Sequence, residues 1–179
     1  MNDSNAELEQ QQFRATNARV IATLGYEREI ERLKTAITGW IARCSNEMRD
    51  ALDWQFDSDS KYFRPSTVFA CYRAVYGDPI PDRIIHTALV IEIFHNVSLI
   101  VDDILDKSEY RRAKQTLHTR FGELKALMVS GYMTAEGFRL VADDPPLVVL
   151  FSELMSRLGV AECMQWRLRQ QPLGVEDWR

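Results

Sequence analysis

Residues 82–106, "DRIIHTALVIEIFHNVSLIVDDILD", constrain the fold more than any other stretch of the chain. Their apolar residues fall on nearly every face of a helix with about 3.6 residues per turn, so other helices must surround this one. The flanking sequence supplies them. Residues 6–24 and 27–50 place apolar side chains three and four apart among charges, as amphipathic helices do. In the second of these, Ile30, Leu33, Ile37, Ile41 and Met48 line one stripe. "DWQFDSDSKYF" reads as a polar loop, and Pro65 suits the first turn of a further helix ending near Gly77. "GDPIPD" is a connection and "KSEYRRAKQT" a charged loop. Helices are predicted over about 122–142 and 147–169, with "DDPP" between them; "QQPLG" ends the last, and "VEDWR" begins a new element. No alternating strand pattern and no repeat stands out, so the expected class is all-α, with residues 1–179 as a single domain.

Composition narrows the function classes. The chain is 46% hydrophobic and 27% charged, ordinary for a globular protein, and its net charge of -4 gives no support to nucleic-acid binding. Cys44, Cys71 and Cys163 have neither metal-ligand spacing nor the even count of a disulfide framework, and are expected reduced and mostly buried. The polar start "MNDSNAELEQQQ" does not read as a signal peptide. His86, Glu92, His95 and Asn96 interrupt the apolar run 84–101, so no transmembrane segment is expected, and the expected location is cytoplasmic.

The end of the apolar helix carries the chemistry. Asp102 and Asp106, four residues apart, share a face, and Asp103 lies about 100° around. Two carboxylates ~5 Å apart repel by roughly 3 kcal/mol at an effective dielectric of ~20. The helix C-terminus disfavours negative charge by a further ~0.3–1 kcal/mol. A divalent cation reverses both effects, and an oxygen-only donor set suits Mg2+, which takes one or two carboxylates and completes its shell with water and phosphate. Arg111 and Arg112 follow at once, with forked donors suited to phosphate or, alternatively, to the aspartates themselves. Upstream, "SKYFRP" offers Lys61 and Arg64 beside a helix N-terminus, where an anion is favoured. His95 lies seven residues before Asp102, close to two turns, on the same face, as a core residue or a ligand.

Together these pieces resemble the trans-isoprenyl diphosphate synthases, or polyprenyl synthetases. "DDILD" followed by "RR" is similar to the family's first aspartate-rich motif and arginine pair. "RRAKQTLHTRFG", "SKYFRP" and "AECMQ" are similar to its RRGKPTxHxxFG, GGKRxRP and GExxQ stretches, and the resemblance covers about residues 60–170. The chain departs from the pattern at Asp59 and Ser60, where the family has paired glycines. It departs again at Tyr62, where the family has a basic residue, and at Ala113 and Gln115, where it has glycine and proline.

The resemblance implies an isoprenoid synthase-type helical bundle and Mg2+-dependent head-to-tail prenyl transfer from an allylic diphosphate to isopentenyl diphosphate. Asp102, Asp103 and Asp106 would hold Mg2+ on the allylic diphosphate, with Arg111 on the same group. Lys61, Arg64, His95 and Arg112 match positions that bind the isopentenyl diphosphate, and Gln165 would face the cavity near the allylic site. Val97 and Ser98, with Phe94 a turn further back, match the floor of the tail pocket. None of the first two is aromatic, so a product of C20 or longer is expected. The family's second aspartate-rich motif does not occur before Arg179. The C-terminal helices are therefore expected to be missing, and the chain is expected to be a fragment or to need a partner subunit, if not a homodimer. A non-catalytic subunit and a class I terpene cyclase are the alternatives; the isopentenyl-site residues favour the transferase.

Overall fold

The structure, a computed structural model, describes residues 15–16, 18–57, 60–112 and 114–168. Contacts divide them into two units, one ending at Leu140 and one beginning at Val141. In the first unit, helical residues 18–24 precede α1 (Glu27–Arg43), α2 (Asn46–Phe56), α3 (Phe63–Tyr76) and α4 (Asp82–Leu105). A two-stranded antiparallel hairpin follows, β1 (Tyr110–Arg111) and β2 (Lys114–Gln115), and then α5 (Leu117–Phe121) and α6 (Glu123–Leu140). The second unit contains α7 (Pro145–Leu168).

α4 is the axis of the first unit, packed by α1, α3 and α6. Ala88, Leu89, Val90, Ile93, Phe94, Val97 and Ile100 are all buried along it, which accounts for an apolar pattern with no free face. By length and mean hydropathy (1.8) α4 also matches a membrane span, a property that a mostly buried core helix shares. Ile30, Leu33, Ile37 and Ile41 of α1 are buried as the stripe predicts. Met48 is not on the same helix, because the predicted single helix 27–50 breaks at Cys44, whose backbone is extended. The break is held by the Tyr132 hydroxyl of α6, which accepts the Ser45 N–H at 3.1 Å.

Other boundaries shift for local reasons. The polar stretch after Asp53 stays helical to Phe56, because Trp40 packs edge-on to the Phe56 ring at 5.4 Å. α3 begins at Phe63, so Pro65 lies within the first turn, and Gly77 (φ +75°) ends it. α6 and Gly137 allow a close approach to α4: a Cβ on Gly137 would lie 2.9 Å from Phe94 Cζ. In the second unit, α7 starts at the prolines rather than after them, with the Asp144 carboxylate accepting the Leu147 N–H at 3.3 Å. All three cysteines are free, but only Cys44 is buried; Cys71 and Cys163 are exposed. The predicted helix over 6–24 is described only in part, and "QQPLG" and "VEDWR" lie outside the described residues.

Candidate active site

The polar residues of α4 sort into two adjacent strips. At about 100° per residue, Glu92, Asn96 and Asp103 fall within about 40° of one another, and His95, Asp102 and Asp106 fall within about 40° beside them. Burial follows the strips. Glu92, Asn96 and Asp103 are 2%, 6% and 4% exposed, whereas His95 and Asp102 are half-buried and Asp106 is exposed.

Asp103 is engaged by Arg111. The guanidinium Nε donates to both carboxylate oxygens, at 2.9 and 3.1 Å, and a terminal nitrogen reaches Oδ1 at 2.8 Å. This is the second of the two roles open to the arginine from sequence. Asp102 and Asp106 are one turn apart, joined by the Asp106 N–H to Asp102 carbonyl bond at 2.8 Å. Their spacing and oxygen donors fit a magnesium ion that takes most of its shell from water and phosphate. Among the described residues no three Asp, Glu, His or Cys side chains converge into a closed metal cage, and such an ion requires none.

The hairpin that carries the arginines is more structured than the predicted loop. A two-residue turn favours positive φ, and Arg112 adopts φ +53°, at a cost of ~1–2 kcal/mol for a residue with a Cβ. Trp54 of α2 fixes the strand opposite. Its indole N–H donates to the Gln115 carbonyl at 3.0 Å, its own carbonyl accepts from Lys114 Nζ at 2.7 Å, and its ring is stacked by Lys114 and Arg120 at 4.1 and 3.8 Å. Buried Thr116 closes the base by donating to the Ser108 carbonyl at 2.7 Å.

One and a half to two turns up the helix lies a small open cleft. Ser60, Tyr62, Glu92, His95, Asn96 and Arg112 give it polar walls; Ile37, Phe56 and Leu99 complete the lining. Arg64 reaches into the same group, 3.0 Å from His95 Nε2. Burial lowers the His95 pKa to about 4, helped by the charges of Arg64, Arg112 and Arg111, so the ring is neutral at pH 7 and accepts from Arg64. Burial raises Glu92 to about 7; the Ser60 hydroxyl, 3.4 Å away, and the charges of Arg64 and Arg112 oppose that rise without cancelling it. Asn96 donates to the Glu92 carbonyl at 2.9 Å and accepts from Gln55 at 3.0 Å, which fixes this side of the helix.

The structure thus brings Arg64, His95 and Arg112 together, and Lys61 lies exposed on the same approach to α3. Phe94 and Val97 are buried, the Phe94 ring edge-on to Phe138 at 5.2 Å; Ser98 is half-buried and donates to the His95 carbonyl at 2.8 Å. Gln165 is exposed on α7 of the second unit. Asp59, one of the departures from the family pattern, lies outside the described residues. Sequence reasoning missed Glu92 and Trp54. A glutamate one turn before a histidine in an otherwise apolar helix was the available signal for the first. Nothing in the spacing of Trp54 pointed to the hairpin.

Known proteins resemble this chain in sequence and fold. The chain is 31% identical to a farnesyl diphosphate synthase of Geobacillus stearothermophilus over 138 residues, 72% of this chain and 45% of that protein. It is 41% identical to a geranylgeranyl pyrophosphate synthase of Geoglobus acetivorans over 66 residues, 36% of this chain and 21% of that protein. The fold matches a crystal structure of an isoprenoid synthase family member from Thermotoga neapolitana at a TM-score of 0.77 and 25% identity, covering 84% of this chain and 61% of that one. The chain is therefore an all-α isoprenoid synthase-type bundle, and it spans less than two thirds of the length of these relatives. With residues 45–177 matching the family described as polyprenyl synthetase, three quarters of its length, the chain belongs to that family.

Proposed function

We propose that this chain contributes the diphosphate-handling face of a Mg2+-dependent prenyltransferase that joins isopentenyl diphosphate to an allylic diphosphate. One observation carries the reading: a single helix, α4, presents a carboxylate pair at its C-terminal end and a separate arginine–histidine pocket about two turns earlier. Head-to-tail condensation needs two diphosphates bound at different sites, one leaving and one retained.

Asp102 and Asp106 would hold the magnesium, which when bound neutralises the charge that gathers on the leaving diphosphate. Asp103 does not share that task in this reading. It anchors Arg111, so that the guanidinium is presented on a rigid hairpin with donors left for phosphate. Arg64, Lys61 and Arg112 would bind the retained diphosphate. Neutral His95 accepts from Arg64, which aims that guanidinium without adding positive charge. The buried wall of Phe94 and Val97 would keep water from the allylic tail and its cation. Since neither Val97 nor Ser98 is aromatic, the tail would pass this level and the product would be C20 or longer. The working assembly would be a homodimer or include a partner subunit.

Incubation with Mg2+, labelled isopentenyl diphosphate and an allylic diphosphate, followed by product analysis, tests the reading. Label in a C20 or longer prenyl diphosphate supports it; a C10 or C15 limit refutes the length. An unlabelled cyclic product would mean a cyclase. No product, with both diphosphates bound, would mean a subunit that requires its partner.

A further inference from the structure

We infer that Glu92 is a proton-accepting counter-charge for the anion pocket: before an anion binds, its carboxylate balances Arg64 and Arg112, and a bound diphosphate drives a solvent proton onto it. The inference rests on the reading of that pocket as a diphosphate site and goes beyond it, because neither the motif residues nor their spacing assigns Glu92 a role.

The geometry creates the conflict that the proton resolves. Glu92 is 2% exposed and forms part of the wall of the pocket, with His95 one turn later on the adjacent strip of α4. Water cannot screen a carboxylate there. Among the described residues the groups that face it are few. Ser60 and Tyr62 come from the segment before α3, Arg64 from α3 and Arg112 from the hairpin, while His95 is on its own helix. α1 and α2 contribute only Ile37 and Phe56 to the lining. An anionic wall suits two arginines but opposes a diphosphate that must approach the same arginines. Proton uptake removes the repulsion and leaves a hydroxyl that can donate to phosphate oxygen. Burial already holds the acid at about 7 against the Ser60 hydroxyl and the two arginines, so added negative charge pushes it upward through the neutral range. Ser60 stands where the family pattern has a glycine, and its hydroxyl, 3.4 Å from Glu92, serves either protonation state because it donates or accepts.

Titration calorimetry of the full chain with inorganic pyrophosphate, without magnesium, provides the test. It is run at pH 7.5 in two buffers of different ionisation enthalpy, for the wild type and for Glu92→Gln. The wild type should take up about half a proton more than the variant, since titration of the pyrophosphate itself is common to both. Raising the pH from 6.5 to 8.5 should weaken wild-type binding by up to about tenfold relative to the variant, the factor for one pKa unit of coupling. Equal proton uptake with binding intact overturns this inference and leaves the pocket reading standing. No binding to the wild type at any pH overturns both. If Glu92→Gln does not fold, infrared difference spectra of the wild type decide: a protonated-carboxyl band growing with pyrophosphate supports the inference, and its absence at saturation overturns it.

Discussion

Replacing Glu92 by Gln, and separately His95 by Gln, sets two opposed titrations against each other. Glu92 is raised from 4.5 to about 7 by burial, so the folded chain keeps a proton that the unfolded chain has lost. Its contribution to stability is complete below pH 4.5 and is gone once the pH has risen through 7. At about 1.4 kcal/mol per pH unit this amounts to ~3 kcal/mol. His95 runs the other way. Burial and three arginines lower it from 6.5 to about 4, so the folded chain binds fewer protons across that window. Its contribution is present above 6.5 and is lost as the pH falls through 4, again by ~3 kcal/mol at most, since partial exposure screens it.

The two slopes nearly cancel between pH 4.5 and 6.5, and each single replacement unmasks the other. Urea unfolding followed by circular dichroism, from pH 4 to 8, reads the difference from wild type and so removes titrations common to all three proteins. Glu92→Gln should gain on the wild type by ~3 kcal/mol as the pH rises from 4.5 to 7. His95→Gln should lose ground to the wild type by up to a similar amount as the pH rises from 4 to 6.5. Differences that stay constant within about 0.5 kcal/mol across those windows would refute the burial argument for both residues.

Asp102→Ala should abolish Mg2+-dependent binding of an allylic diphosphate while circular dichroism shows the helices intact; unchanged binding by calorimetry refutes the ligand role. Asp103→Asn with Arg111→Leu should show a coupling of ~1–3 kcal/mol in a double-mutant cycle of urea stabilities, because Asp103 is buried and Arg111 only partly so. Gly137→Ala should lower Tm by a few degrees: overpacking against the Phe94 ring costs ~1–3 kcal/mol, and the ~1 kcal/mol gain in helix propensity offsets only part of it. Trp54→Leu should weaken magnesium-free pyrophosphate binding about tenfold at a stability cost of ~1–3 kcal/mol, because the hairpin loses an anchoring hydrogen bond and its cation–π platform; unaltered affinity would show that the hairpin needs no such support.

The sequence made the bundle legible because hydrophobic periodicity is a local signal. A helix apolar on every face has to lie at the centre, and α4 does. Boundaries were less legible where a distant side chain decides them: the break at Cys44 depends on Tyr132, 88 positions on from Cys44. The hairpin was read as a loop because strands of two residues carry no alternation to detect. Motif positions that meet in space, Arg64 with His95 and Arg111 with Asp103, were legible as sets but not as pairs. The exposure of Cys71 was not legible because the residue type gives an average burial, and a helix decides by face.

Helical phase explains why one stretch carries two kinds of acid. Three aspartates within five residues look alike in sequence, yet the ~100° step between Asp102 and Asp103 turns one toward the open side and the other inward. An inward carboxylate must be paired, and Arg111 pairs it. The same inward strip, two turns and more earlier, contains Glu92, where no comparable bidentate partner closes on the carboxylate among the described residues, and its pKa rises instead. Burial of a carboxylate therefore has two outcomes on α4. At the C-terminal end an arginine is fixed in place; beside the pocket a proton is held near neutrality. The outward strip of His95, Asp102 and Asp106 is left to meet ligands. That division would fail if the motif residues kept their identity and lost their phase: inserting one residue between Leu99 and Asp102 would keep "DDILD" intact while rotating it by ~100°, and should destroy both the Asp103–Arg111 pair and magnesium-dependent binding.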